Sequence, residues 1–117
     1  MSSAIRCINL VKRYEGRPLT IIFGAMRDKA IAEMAEILFP VAQRVIATAA
    51  ENPRSATADE IREAAGRTSA EIIATSDVPF ALEKARELAT PGDLIVITGS
   101  IYVVGEAMHE LGITPAN

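Results

Sequence analysis

The chain has 117 residues, is 50% hydrophobic but only 4% aromatic, contains no tryptophan and carries a formal net charge of -3. That length holds one domain with a core built from Ala, Ile, Val and Leu, and it excludes general disorder and a two-domain organisation. The acidic balance, with no run of Lys and Arg, removes the electrostatic basis for binding nucleic acid, and Cys7 as the single cysteine with His109 as the single histidine excludes an internal disulfide and a zinc-type site. No apolar run approaches the roughly 18 residues of a membrane span, and the amino terminus lacks the pattern of a secretory signal, so a soluble protein of the reducing cytoplasm is expected, with no membrane contact.

In chain order, Ile5, Ile8, Val11 and Tyr14 fall about one turn apart and predict an opening helix, closed by Gly16 and Pro18. Leu19 to Phe23 is a β-branched, apolar strand. Asp28 is expected to cap the helix that follows, whose Ile31, Met34, Ala35 and Leu38 share one face up to Pro40. Arg44 to Thr48 is a second strand, and the polar loop from Ala49 to Ser55 leads to Thr57-Ala58-Asp59-Glu60, a capping box that starts a helix stopped by Gly66. Glu71 to Ala74 reads as a third strand, after which Asp77 caps a helix carrying Phe80, Ala81, Leu82, Ala85 and Leu88, closed by Pro91-Gly92. Leu94 to Thr98 is the fourth strand, and a last helix runs from Ile101 or Tyr102 through Met108 to Leu111, ending at Gly112.

Alternating strands and helices with short connections imply right-handed crossovers, hence an α/β Rossmann-like three-layer sandwich with a mostly parallel sheet and helices on both faces. In this architecture a helix packs where a strand has delivered it. A chain opening on a helix therefore raises the expectation that the fold's first strand is missing from this sequence.

Ligands of open α/β sheets bind at the carboxyl ends of the strands, which directs attention to two turns. In Gly24-Ala25-Met26-Arg27-Asp28-Lys29, the glycine permits a sharp turn, and the cations Arg27 and Lys29 flank a helix amino terminus that attracts anions. In Thr98-Gly99-Ser100, two hydroxyls flank a glycine at the end of the last strand. The two turns meet only if their strands are neighbours. Each also has a plainer reading, a capped helix with solvated cations in one case and a glycine turn with a serine cap in the other. In the loop Asn52-Pro53-Arg54, Pro53 could present Arg54 to an anion or leave it as a solvated cation. His109 reads as a surface or half-buried residue, since no candidate nucleophile adjoins it. Neither G-x-x-x-x-G-K-[ST] nor G-x-G-x-x-G occurs, so the usual loops for a triphosphate or a dinucleotide are lacking.

Three segments, Ile21-Ile22-Phe23-Gly24-Ala25-Met26-Arg27-Asp28-Lys29, Glu51-Asn52-Pro53-Arg54-Ser55 and Val96-Ile97-Thr98-Gly99-Ser100-Ile101-Tyr102-Val103-Val104-Gly105-Glu106, together resemble the carboxyl-terminal domain of folylpolyglutamate synthase/dihydrofolate synthase, in the Mur ligase superfamily. The resemblance implies a Rossmann-like lid of an ATP-dependent amide ligase, which forms an acyl phosphate on a folate or dihydropteroate carboxylate for attack by the amine of glutamate. It implies ATP and Mg for the complete enzyme, with no cofactor bound by this chain alone, and glutamate bound by Lys29 with Thr98 and Ser100 as hydrogen-bonding partners. Arg27, Asp28, Asn52, Arg54 and Gly99 complete the candidate substrate-binding set, and no residue is nominated as catalytic.

Two departures from the family pattern stand out. Its Asp-Lys-Asp is here Asp28-Lys29-Ala30, and the strand ending in Asp-Gly-Ala-His-Asn-Pro, like the P-loop ATPase domain, is not present. The expectation is a domain inactive alone that works with an amino-terminal ATPase domain. The alternatives are a free-standing ligand- or partner-binding module, dimeric if its sheet edge is uncovered, and an unrelated Rossmann-like nucleotide binder.

Overall fold

The computed structural model describes residues 18–66 and 70–113, so the opening helix expected over residues 5–14 lies outside the described residues. The first element is β1 (Leu19–Phe23), followed by α1 (Ile31–Leu38), a short 3-10 turn (Phe39–Val41) and β2 (Arg44–Ala47). Then come α2 (Ala58–Ala65), β3 (Glu71–Ala74), α3 (Val78–Leu88), β4 (Leu94–Thr98) and α4 (Ile101–Glu110).

The strands are ordered β3-β2-β1-β4 and every pair is parallel. Ile21 pairs with Val45 on one side and Val96 on the other, so β1 sits inside the sheet with all five residues buried. This explains its apolar composition, interrupted only by the buried Thr20: a parallel strand covered on both faces has no solvent side to mark with polar residues. Its two faces feed separate cores. Ile21 and Phe23 pack with Val45, Val96 and the residues Ile31, Ala35 and Ile61 of α1 and α2, while Ile22 joins Ile46, Val78, Ala81, Leu82, Val103 and Ala107 under α3 and α4. Phe23 meets Phe39 edge to face at 5.2 Å between ring centroids, an arrangement the ring quadrupoles favour.

Three of the four helix starts follow their local chemistry. Thr57 and Glu60 form the reciprocal capping box, Asp77 accepts from the Phe80 amide at 2.9 Å, and Ser100 accepts from the Tyr102 amide at 3.1 Å. The fourth does not. Ala30 occupies the N-cap of α1 with no side-chain bond, and Asp28 faces Arg54 instead, with Oδ2 3.1 Å from Nη2. The expected aspartate cap gives way to a partner 26 residues away, which no local pattern announces. β2 ends at Ala47 rather than Thr48, although the Thr48 amide still donates to the Phe23 carbonyl.

After β1 the chain moves outward through β2 and β3, with α1 and α2 on one face, and then returns over the other face to place β4 against the free side of β1. Two chain directions diverge from the carboxyl ends of β1 and β4. That divergence is a topological switch point, where open α/β sheets have their ligand crevice.

Gly99 stands at this point with φ +107°, and a Cβ there would strike the Gly24 carbonyl oxygen and the Phe23 ring. Gly99→Ala is expected to destabilise by about 2–4 kcal/mol, from left-handed strain plus overpacking. Gly92→Ala, which adds a Cβ into open space at φ +96°, should cost only about 1–2 kcal/mol. Urea midpoints of the two variants check this, and equal losses would refute the steric part.

Candidate functional site

The turn after β1, the loop after β2 and the turn after β4 converge on the switch point. The Gly24 amide approaches the Thr98 carbonyl at 3.4 Å, which brings the first and last turns together. Gly24 is required there by packing, since a Cβ would lie 2.9 Å from the Thr48 carbonyl oxygen and against the Val103 methyl. The loop after β2 reaches the same place through a short antiparallel ladder. Met26 bridges Ser55, the Arg27 amide donates to the Arg54 carbonyl at 2.9 Å, and the Ala56 amide donates to the Ala25 carbonyl at 2.9 Å.

These three segments enclose a cleft of about 360 Å³. Its polar lining is Asp28 and Lys29 from the first turn, Asn52 and Arg54 from the loop and Ser100 from the last turn, while Met26, Ile101 and Tyr102 form an apolar wall. Asn52 turns the loop by accepting the Arg54 amide on Oδ1 at 2.9 Å, a side-chain turn of the kind asparagine favours. Its amide NH2 remains a donor. Ser100 spends an acceptor lone pair on the cap of α4 and keeps its O–H to donate.

The Asp28–Arg54 pair is exposed, with side chains 57% and 74% accessible, so it contributes little to stability and is readily exchanged for another carboxylate. Within the lining Asp28 compensates Arg54, and the ammonium of Lys29 is left uncompensated. The cleft therefore favours an anion.

Two of the residues nominated from sequence lie elsewhere. Arg27 is outside the cleft lining, with Nε 3.3 Å from Glu60 Oε1 and Nη1 donating to the Pro53 carbonyl at 3.1 Å. Thr98 is 1% exposed and outside the cleft lining, with its backbone carbonyl turned to the Gly24 amide. Conversely, Met26, Ile101 and Tyr102 line the cleft although local chemistry does not mark them, for they stand inside the first and third of the segments that carry the resemblance but bear no charge or turn chemistry. His109 is exposed on α4 beside a second, acidic depression of about 420 Å³ bordered by Glu51, Asp77, Glu106 and Glu110. Among the described residues no group of His, Cys, Asp or Glu is placed to hold a metal ion, and no helix is long and apolar enough to cross a membrane.

Glu60 joins the capping box to the site. The Thr57 amide, supported by the Thr57 side chain and the Arg27 guanidinium, holds its carboxyl below the usual carboxylate range, against a smaller opposing effect of desolvation. A carboxyl depressed in the folded state adds stability that is whole above its unfolded value and is lost as pH falls through the folded one. The stability difference between the natural chain and Glu60→Gln should therefore be largest near neutral pH and shrink as pH is lowered to about 3. Urea unfolding across that range tests it, and a difference independent of pH would refute the assignment.

The family model described as "Mur ligase, glutamate ligase domain" matches residues 1–101. A probable bifunctional folylpolyglutamate synthase/dihydropteroate synthase from Haloferax volcanii is 34% identical over 90 residues, covering 76% of this chain and 11% of that protein. Among solved structures, Mycobacterium tuberculosis folylpolyglutamate synthase complexed with ADP superposes with a TM-score of 0.84 at 24% identity, over 97% of this chain and 28% of that one. A bifunctional folylpolyglutamate synthase/dihydrofolate synthase with Mn, AMPPNP and L-glutamate bound superposes at 0.79 and 24% identity, over 96% of this chain and 27% of that one. The chain thus spans about a tenth of the Haloferax protein and just over a quarter of the solved enzymes, with which it shares the fold. With the switch-point cleft, the parallel four-stranded sheet and the match over residues 1–101, this chain belongs to the Mur ligase family as a glutamate ligase domain of the folylpolyglutamate synthase type.

Proposed function

We propose that this chain is the glutamate-binding lid of an ATP-dependent folate amide ligase and that it does not catalyse by itself. The observation that carries this reading is the uncompensated Lys29 in a cleft shared with Arg54, Asn52 and Ser100, at the switch point of a domain from a glutamate ligase family.

Glutamate carries two carboxylates. Lys29 would neutralise one as a point charge, and Arg54 would release Asp28 and grip the other through its planar fork. The Ser100 hydroxyl and the Asn52 amide would add neutral donors that fix orientation. Asp28 would then be free to orient Lys29 or the ligand's amine. The apolar wall of Ile101 and Tyr102 suits a lid, because closure over an activated acyl group must exclude water as well as align the attacking amine.

Related structures were solved with ADP, or with AMPPNP, Mn and L-glutamate. In the complete ligase ATP with its Mg would activate the folate or dihydropteroate carboxylate. On this reading the chain's part is to hold and present glutamate, and the nucleotide chemistry would fall to the ATPase domain of the complete ligase.

Two measurements test the reading. Titration of the 117-residue chain with L-glutamate, followed by amide resonances, should shift Lys29, Arg54 and Ser100 saturably, and Lys29→Ala should weaken binding about tenfold or more, as loss of a charge-assisted contact does. Absence of any shift at these positions would refute it. Incubation of the pure chain with folate, ATP and glutamate should give no ligated product, and measurable turnover would overturn the claim that it is inactive alone.

A further inference from the structure

The loop that supplies Asn52 and Arg54 is gripped by two side chains far away in sequence. On one side the Glu51 amide donates to Glu106 Oε2 of α4 at 2.7 Å. On the other, Nη1 of Arg27 donates to the Pro53 carbonyl at 3.1 Å while its Nε is held by Glu60 of α2 at 3.3 Å. Between these grips the loop closes on itself, with the Arg54 amide on Asn52 Oδ1 and the Ser55 amide on the Asn52 carbonyl, both at 2.9 Å.

We propose that Arg27 and Glu106 are positioning residues that clamp the Glu51–Ser55 loop from opposite sides, so that Asn52 and Arg54 face the cleft before a ligand arrives. The clamps stand on geometry; their consequence for glutamate rests on the function proposed above. Arg27 suits its task because only a guanidinium offers two donors in a fixed fork, one to a carboxylate and one to a carbonyl. A loop ordered in advance spares the ligand the entropy of ordering it, which is how preorganisation raises affinity.

The test compares amide hydrogen exchange in the natural chain, Arg27→Gln, Arg27→Lys and Glu106→Ala. Expected is exchange about fivefold to tenfold faster at Arg54 and Ser55 in Arg27→Gln and in Glu106→Ala, the scale of one lost hydrogen bond. Amides of Ile22 and Ile46 in the central strands should keep their natural rates. Arg27→Lys should restore part of the protection. Loop rates unchanged in both variants, or raised no more than those of the central strands, would overturn the clamps.

Glutamate titration of the same variants supplies the functional readout, with affinity expected to fall about threefold to tenfold. Natural affinity in a variant with a loosened loop would overturn the link to binding. If the natural chain itself takes up no glutamate, the proposed function fails while the exchange rates still decide the clamps.

Discussion

The site depends on one close approach. The carboxyl ends of β1 and β4 lie side by side, so close that a Cβ on Gly99 would collide with the Gly24 carbonyl oxygen and the Phe23 ring. Neither position has room for a side chain: Gly24 is hemmed in by the Thr48 carbonyl and Val103. Because the two strands are neighbours while their following helices leave to opposite faces, a crevice opens above this contact. The chain must turn tightly on both sides of it, and the residues that follow these turns, with those of the loop after β2, line the crevice.

The charges follow from that geometry. Lys29 and Arg54 are 25 positions apart in the chain, and they share a cleft because the antiparallel bridge between Met26 and Ser55, with its two flanking hydrogen bonds, lays the loop after β2 along the turn after β1. Asp28 then neutralises one cation and leaves the other. An exposed ion pair of this kind is weak in water, which makes it suited to exchange with a ligand carboxylate and poorly suited to holding the fold. Stability resides elsewhere, in the two apolar layers that cover Ile21 and Ile22 from opposite faces.

Local signals proved reliable wherever the chemistry was itself local. Thr57 with Glu60, Asp77 and Ser100 each cap the helix that begins beside them, because a short polar side chain satisfies an amide two or three residues ahead with no help from the rest of the molecule. Asp28 looked the same on paper and behaves differently. The helix opens only at Ile31 with Ala30 at its N-cap, so Asp28 stands two residues too early to cap it and faces Arg54 instead. Arg27 shows the complementary failure. It reads as a site cation in sequence, yet Glu60 and the Pro53 carbonyl take its guanidinium.

By itself the sequence determined the class of fold, the limits of nearly every described strand and helix, and the segments that hold the cleft. Apolar runs, periodicity and caps act over a few residues and need no knowledge of the partner strand. Strand order, and with it the meeting of Gly24 with Gly99, was decided only in three dimensions. So was the division of labour among charged residues, in which Lys29 stays uncompensated, Arg54 pairs with Asp28 and Arg27 turns away. Ion pairs between distant segments form at the distances that packing imposes, and those distances do not exist until the sheet is assembled.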